Sequence, residues 1–160
     1  MASRTRLAND AWEALLSAHA RLMKQFAAED LWQEVSIREY DVLYTLSKCR
    51  EPVRLGELHR HVLLSQPALS RMVDRLVERG LIERSPDPAD GRGVRLSLTD
   101  AGRDTQHQIG RRHARSVARA VTAELSPEEL RQLATICWKL AGQPAGTGTS
   151  TNGDKELART

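Results

Sequence analysis

Leu63-Leu64-Ser65-Gln66-Pro67-Ala68-Leu69-Ser70-Arg71-Met72-Val73-Asp74-Arg75-Leu76-Val77-Glu78-Arg79-Gly80 is the stretch on which the fold turns. Ser65 has the side chain of a helix cap, and Pro67 falls in the first turn, where its missing N–H leaves no hydrogen bond unmade. Leu69, Met72, Val73, Leu76 and Val77 recur at spacings of three and four and share one face, while Ser70, Arg71, Asp74, Arg75 and Glu78 project elsewhere. Gly80 stops the helix. Upstream, Pro52 marks a break, and Leu55 to Val62 reads as a short helix. Two short helices joined by a tight turn, the second presenting arginines, make a helix-turn-helix pattern.

Downstream of Gly80, Leu81-Ile82-Glu83-Arg84 and Val94-Arg95-Leu96-Ser97-Leu98 read as strands, the second with Val94, Leu96 and Leu98 alternating onto one side. Residues 85–93 between them are dense in turn formers, which predicts a β-hairpin with an extended tip. Thr99-Asp100 caps a helix reaching about Glu124. Leu125-Ser126-Pro127-Glu128-Glu129-Leu130 is a second complete start signal for a last helix carrying Leu133, Ile136, Cys137 and Leu140.

Toward the N-terminus, Val35-Ser36-Ile37-Arg38-Glu39-Tyr40 holds a cap, a capping-box acid and a hydrophobic staple, and it opens a helix to about Ser47. Before it, Trp12, Leu15, Leu16, Leu22, Met23, Phe26 and Leu31 lie along a long amphipathic helix from Asn9 to Trp32. From Gly142 onward Gly, Thr, Ser, Pro and Asn dominate without periodicity, so residues 142–160 are expected to form a flexible tail. The expectation is a mainly α domain over residues 1–141 with a small β-hairpin wing. The helix-turn-helix and wing occupy a lobe of about 36–99, and outer helices run over about 9–33 and 100–141.

A chain of 160 residues with 40% hydrophobic and 28% charged side chains has the composition of one globular unit. No apolar run approaches the roughly 20 residues a spanning helix needs, so membrane insertion is not expected. Cys49 and Cys137 stand far apart with no ligand spacing around them, which suits a reducing, cytoplasmic setting and buried, inert thiols. The net charge is only +3, but it is unevenly placed: residues 54–120 hold thirteen arginines against eight acids. That local excess points to a polyanionic partner. No phosphate-cradling glycine loop, His-Glu-x-x-His or nucleophile elbow is present, so no enzyme is expected. His59 and His61, two apart, face different sides of a helix and make no metal site by themselves, and no cofactor is implied.

The phrases Gly80-Leu81-Ile82-Glu83-Arg84, Asp90-Gly91-Arg92 and Leu96-Ser97-Leu98-Thr99-Asp100-Ala101-Gly102, in this order and at these distances, resemble the signature of the MarR family of bacterial winged helix-turn-helix regulators. The resemblance spans residues 9–141, with its distinctive part in 54–102. It implies a homodimer built by the first and last helices. It also implies a recognition helix, Ser65 to Arg79, that enters the major groove. By position, Arg92 is the wing arginine that reaches the minor groove, with the Asp90 carboxylate bracing it. Such regulators commonly repress genes from palindromic operators and leave the DNA when a small, often phenolic, ligand binds.

A helix in the major groove brings its first turns nearest the base edges, which makes Gln66, Pro67, Ser70 and Arg71 the candidates for reading sequence. Ser65 and Arg75 are better placed for phosphates. Arg92, between Gly91 and Gly93, is suited to a narrow minor groove, and Arg84 and Arg95 flank it. The plain alternative is that Arg71 and Arg75 pair with Asp74 and Glu78 on the helix surface, and that Arg84 braces the wing internally. Arg103, Arg111, Arg112, Arg115 and Arg119 read as the solvated face of a long helix.

Trp12, His19, Asp41 and Tyr44 are the polar and aromatic candidates for an effector pocket, although His19 on the apolar stripe also fits an interface histidine. Trp12 with Tyr40-Asp41-Val42 is similar to the pattern of the family's urate-responsive subgroup. Two competing readings remain: a winged-helix protein-interaction module without specific DNA binding, and a thiol-responsive regulator acting through Cys49 or Cys137.

Overall fold

The computed structural model describes residues 3–142. Its elements are α1 (Arg4–Ala27), α2 (Ile37–Ser47), β1 (Val53–Arg54), α3 (Leu55–His59), α4 (Gln66–Glu78), β2 (Ile82–Asp87), β3 (Asp90–Leu98), α5 (Asp100–Thr122) and α6 (Pro127–Leu140). The fold is mainly α with a small antiparallel sheet in the order β1-β3-β2. Two residues of β1 are too few to show an alternation, which is why the third strand is invisible to pattern reading.

Helix starts follow their local chemistry. Ser36 and Glu39 form a reciprocal capping box, with the Ser36 N–H donating to Glu39 Oε2 at 2.8 Å. Ser126 and Glu129 do the same at 2.8 Å. Ser65 Oγ accepts the Ala68 N–H at 3.4 Å to open α4. At α5, Thr99 Oγ1 accepts the Gly102 N–H at 3.0 Å and donates to the Gly80 carbonyl at 2.6 Å, tying the end of α4 to the start of α5. Gly102 permits that junction because a Cβ there would stand 2.0 Å from the Leu81 carbonyl oxygen.

Three expectations change. α1 begins earlier than Asn9, since Ser3 accepts the Arg6 N–H, and it stops at Ala27 instead of Trp32. Leu31 is therefore not the end of the helical stripe; it turns inward from the following loop and joins Val35 and Tyr40 in the core. The hairpin has no long irregular tip: β2 runs through Pro86 to Asp87, β3 starts at Asp90, and only Pro88 and Ala89 lie between. Gly91 and Gly93 are not among the positive-φ residues, which are Gly80 and Gly142, so Arg92 stands inside a strand and not on a glycine-hinged turn.

One core joins α2, α3, α4 and the base of the sheet, where Leu43, Leu58, Leu69, Leu76 and Ile82 are wholly buried. Ile109 of α5 reaches it. The described residues divide into two compact units, one ending at His113 and the other beginning at Ala114, with the division inside α5. α6 has no buried residue. The tail expected over 142–160 lies, apart from Gly142, outside the described residues.

Candidate nucleic-acid interface

The apolar side of α4 is spent on the core: Leu69, Met72, Val73 and Leu76 are buried. What remains outward is the polar side. Gln66 and Pro67 occupy its first turn and are exposed, Arg71 and Arg75 follow one turn apart, and the side chains of Gln66, Arg71 and Arg75 make no hydrogen bond or ion pair among the described residues. The surface pairs with Asp74 and Glu78 that would have occupied Arg71 and Arg75 are not formed; Asp74 instead pairs with Arg84, whose Nη2 donates to Asp74 Oδ1. Arg84 thus ties β2 to α4. Ser70 is half-buried and lines a shallow apolar recess with Leu55, Val73, Arg84, Val94 and Leu96, between recognition helix and wing.

On the wing, Arg92 is exposed and its guanidinium has no partner among the described residues. The Asp90 carboxylate does not grip that guanidinium: its Oδ1 accepts the Arg92 backbone N–H at 3.1 Å, so it shapes the strand's first residues instead. Arg95 turns inward. Its Nη1 donates to the Pro52 carbonyl at 3.3 Å, and its Nε lies 3.2 Å from Asp87 Oδ1. Asp87 is the residue that reading the sequence misses. It is 2% exposed, receives Arg54 Nε on Oδ2, and accepts the Ala89 N–H at 2.9 Å on Oδ1. The Ala89 N–H and then the Arg54 guanidinium hold its carboxyl below the usual carboxylate range. Nothing in Pro86-Asp87-Pro88 announces this, since the cross-strand register that brings Arg95 alongside is set by pairing.

The effector candidates separate. Asp41 and Tyr44 share α2 beside a ring cluster, whereas Trp12 and His19 are exposed on α1 and make no hydrogen bond, ion pair or ring contact with them. Tyr44 stacks on Tyr40 at 5.9 Å, with Lys48 Nζ 4.0 Å from its ring centre. His113 meets Phe26, Trp32 and Tyr40 edge-on at 5.2, 5.3 and 5.6 Å. Its Nδ1 and Glu29 Oε2 are buried without a hydrogen-bond partner. Burial lowers the His113 pKa, against Glu29 and Asp41, which raise it. Protein packed around the Asp41 carboxyl raises its pKa, against His113 and Lys48. His113 and Trp32 belong to this cluster and went unread, because they lie 81 positions apart along the chain.

Cys49 is half-buried, its Sγ–H donating to the Thr45 carbonyl at 3.4 Å, and burial pushes its pKa up. That is opposite to what a reactive thiolate requires. Among the described residues no group of three or more His, Cys, Asp or Glu side chains is arranged to hold a metal ion, and no helix is long and apolar enough to cross a membrane.

A model of the MarR family matches residues 35–94. The multiple antibiotic resistance protein MarR of Salmonella typhimurium is 30% identical over 107 residues, covering 67% of this chain and 74% of that protein. The chain belongs to the MarR family. It is accordingly a DNA-binding transcription regulator with a winged helix fold, and not an enzyme. Two solved structures of transcriptional regulators from Streptomyces coelicolor carry the comparison further. Sco3205, a MarR family regulator in complex with DNA, superposes with a TM-score of 0.71 at 25% identity, covering 88% of each chain. The PcaV transcriptional regulator, in complex with its natural ligand, has a TM-score of 0.62 at 26% identity and covers 88% of this chain and 92% of that one.

Proposed function

We propose that this MarR-family chain represses transcription as a homodimer on a palindromic operator, and that a small aromatic or phenolic ligand releases it. The observation that carries the reading is α4. Its apolar side is consumed by the core, while Gln66, Pro67, Arg71 and Arg75 stand exposed and unpaired beside a wing whose Arg92 is also free among the described residues. Gln66 and Arg71 are assigned to base edges with Pro67 and Ser70 beside them, Ser65 and Arg75 to phosphates, and Arg92 to the minor groove. Asp90 supports Arg92 through its backbone. Arg84 and Arg95, already engaged with Asp74 and Asp87, serve the interface by holding the wing. The DNA-bound state of Sco3205 is consistent with this use of the fold.

A second copy explains the outer helices. Trp12, Leu16 and Met23 on α1 are 59%, 48% and 37% exposed, and Ile136 and Leu140 on α6 are 57% and 72% exposed. Apolar surface on this scale marks an association face. Residues 1–141 then act as one regulator domain, the outer helices dimerising and the lobe of 36–99 binding DNA. It works in the cytoplasm, where a bacterial regulator meets its operator. For the effector, Asp41 and Tyr44 border the cluster whose His113 Nδ1 lacks a partner, an arrangement that suits a ring bearing a donor. Trp12 and His19 enter such a site only through the dimer. PcaV in complex with its natural ligand supports a small-molecule response.

Fluorescence anisotropy with a palindrome from upstream of the chain's own gene, titrated with salt and compared with scrambled DNA, tests the reading. Specific binding with a steep salt slope is expected. Equal, weak binding to both duplexes would instead favour the protein-interaction reading, which draws on one observation, a Leu63 side chain 89% exposed in the turn before α4.

A further inference from the structure

Asp87 sits where an ionised carboxylate is hard to keep. Its side chain is fully buried, so water cannot solvate the charge, and the protein must. Two guanidinium groups from different strands do so, Arg54 of β1, whose Nε donates a hydrogen bond to Oδ2, and Arg95 of β3, whose Nε lies 3.2 Å from Oδ1 as an ion pair without a hydrogen bond, together with the Ala89 N–H. The site is closely built. A Cβ on Gly93 would lie 3.0 Å from the Asp87 Cβ and 3.4 Å from its Oδ2.

The Glu57 and Asp90 carboxylates also act on Arg54, so the site has no net surplus of charge; what it has in excess is guanidinium donors, and exposure says where they are available. Arg95 uses Nη1 on the Pro52 carbonyl and is 30% exposed, whereas Arg54 is 47% exposed and both its Nη groups lack a partner among the described residues. Arg54 pairs across the sheet with Arg95, and the residue after it, Leu55, lines the recess shared by Ser70 of α4 and Val94 of the wing. Its guanidinium is held on Asp87 at the end of β2, so the free fork stands beside the wing, on the residue that precedes the recess-lining Leu55.

We propose that Arg54, buttressed by the buried Asp87 carboxylate, is a further DNA-binding residue that grips a backbone phosphate between the groove taken by α4 and the groove taken by the wing. The proposal rests on the DNA-binding reading above. A guanidinium held at Nε keeps two parallel Nη donors for a phosphate, and little rotamer freedom is left to lose on binding. A phosphate contact supplies register and affinity but no base preference. Asp87 is the positioning residue. This sets an unusual sign: deleting an acid from a DNA-facing lobe ordinarily tightens binding by removing repulsion, but deleting Asp87 should weaken it.

The test is salt-titrated anisotropy of the full-length chain on operator and scrambled duplexes, with thermal melting of every variant. Arg54→Ala is expected to weaken both duplexes by about tenfold near 0.1 M salt and to lower the slope of log K against log salt by about 1. Asp87→Asn should lose affinity despite removing a negative charge, and Asp87→Asn with Arg54→Ala should bind no worse than Arg54→Ala alone. A folded Asp87→Asn that binds more tightly than the wild type, or losses that add in the double variant, would overturn the proposal. Should Asp87→Asn melt out, Arg54→Ala decides, and an unchanged slope and affinity sinks the idea. A wild-type chain that binds neither duplex removes the DNA reading itself, and this assignment with it.

Discussion

α1 and α4 carry apolar stripes of the same helical period, yet they end in opposite environments. On α4, Leu69 and Leu76 are 0% exposed, pressed against α2, α3 and the sheet. On α1, Trp12, Leu15 and Leu16 remain in water, and Phe26 is the buried residue of the helix. Periodicity thus states that a face is to be covered without stating by what. In α4 the cover comes from the same chain, which leaves the opposite face for a ligand; in α1 the stripe stays exposed, and the cover proposed for it is a second copy.

The largest expected effect breaks that contrast on the α4 side. Leu76→Ala removes a fully buried side chain, and chemical denaturation should show a loss of about 2–5 kcal/mol, while Leu16→Ala on the exposed stripe should change the protomer's own stability by less than about 0.5 kcal/mol. Sedimentation sharpens the α1 side. Leu16→Glu combined with Ile136→Glu should shift the dimer equilibrium toward monomer by at least about tenfold, and an unchanged dimer would remove the proposed association face.

Arg71→Ala should reduce operator affinity by about 1–3 kcal/mol and relax base preference, whereas Arg92→Ala should weaken operator and scrambled DNA alike. Ser36→Ala, which breaks a capping box at the start of α2, should destabilise the lobe by about 1 kcal/mol. The smallest expected effect is a pH dependence from His113. Burial puts its folded pKa below the ordinary 6.5, so protonation favours the unfolded chain. The lobe should hold its full stability above pH 6.5 and lose some as pH falls through the lowered value, a decline that His113→Phe should flatten in denaturation curves at about pH 7.5 and about pH 5.5.

What could be read in the chain without coordinates was local. The caps at Ser36, Ser65 and Ser126 lie within three residues of their partners, and the structure has each of them. The polar face of α4 was equally legible, because a helix of known period fixes which residues share a side. The wing arginines were not. Arg84, Arg92 and Arg95 are one residue type on one hairpin, yet Arg84 is bound to Asp74, Arg95 to Asp87 and Pro52, and Arg92 to nothing through its side chain among the described residues. Their spacing carries no trace of that division, which depends on strand register and on which acid lies across the gap.

The sequence by itself determined the order of the helices and the hairpin, the capped helix starts at Ser36, Ser65 and Ser126, the resemblance to the MarR family and the outward face of α4, because hydrogen bonds and side-chain periods a few residues long dictate these. Only the tertiary structure decided where α1 stops, that Asp87 is buried with Arg54 and Arg95, and that His113 closes a ring cluster with Phe26, Trp32 and Tyr40. Those outcomes join residues tens of positions apart. Their cause is the competition for buried volume and for charge partners, which is resolved when the elements pack together.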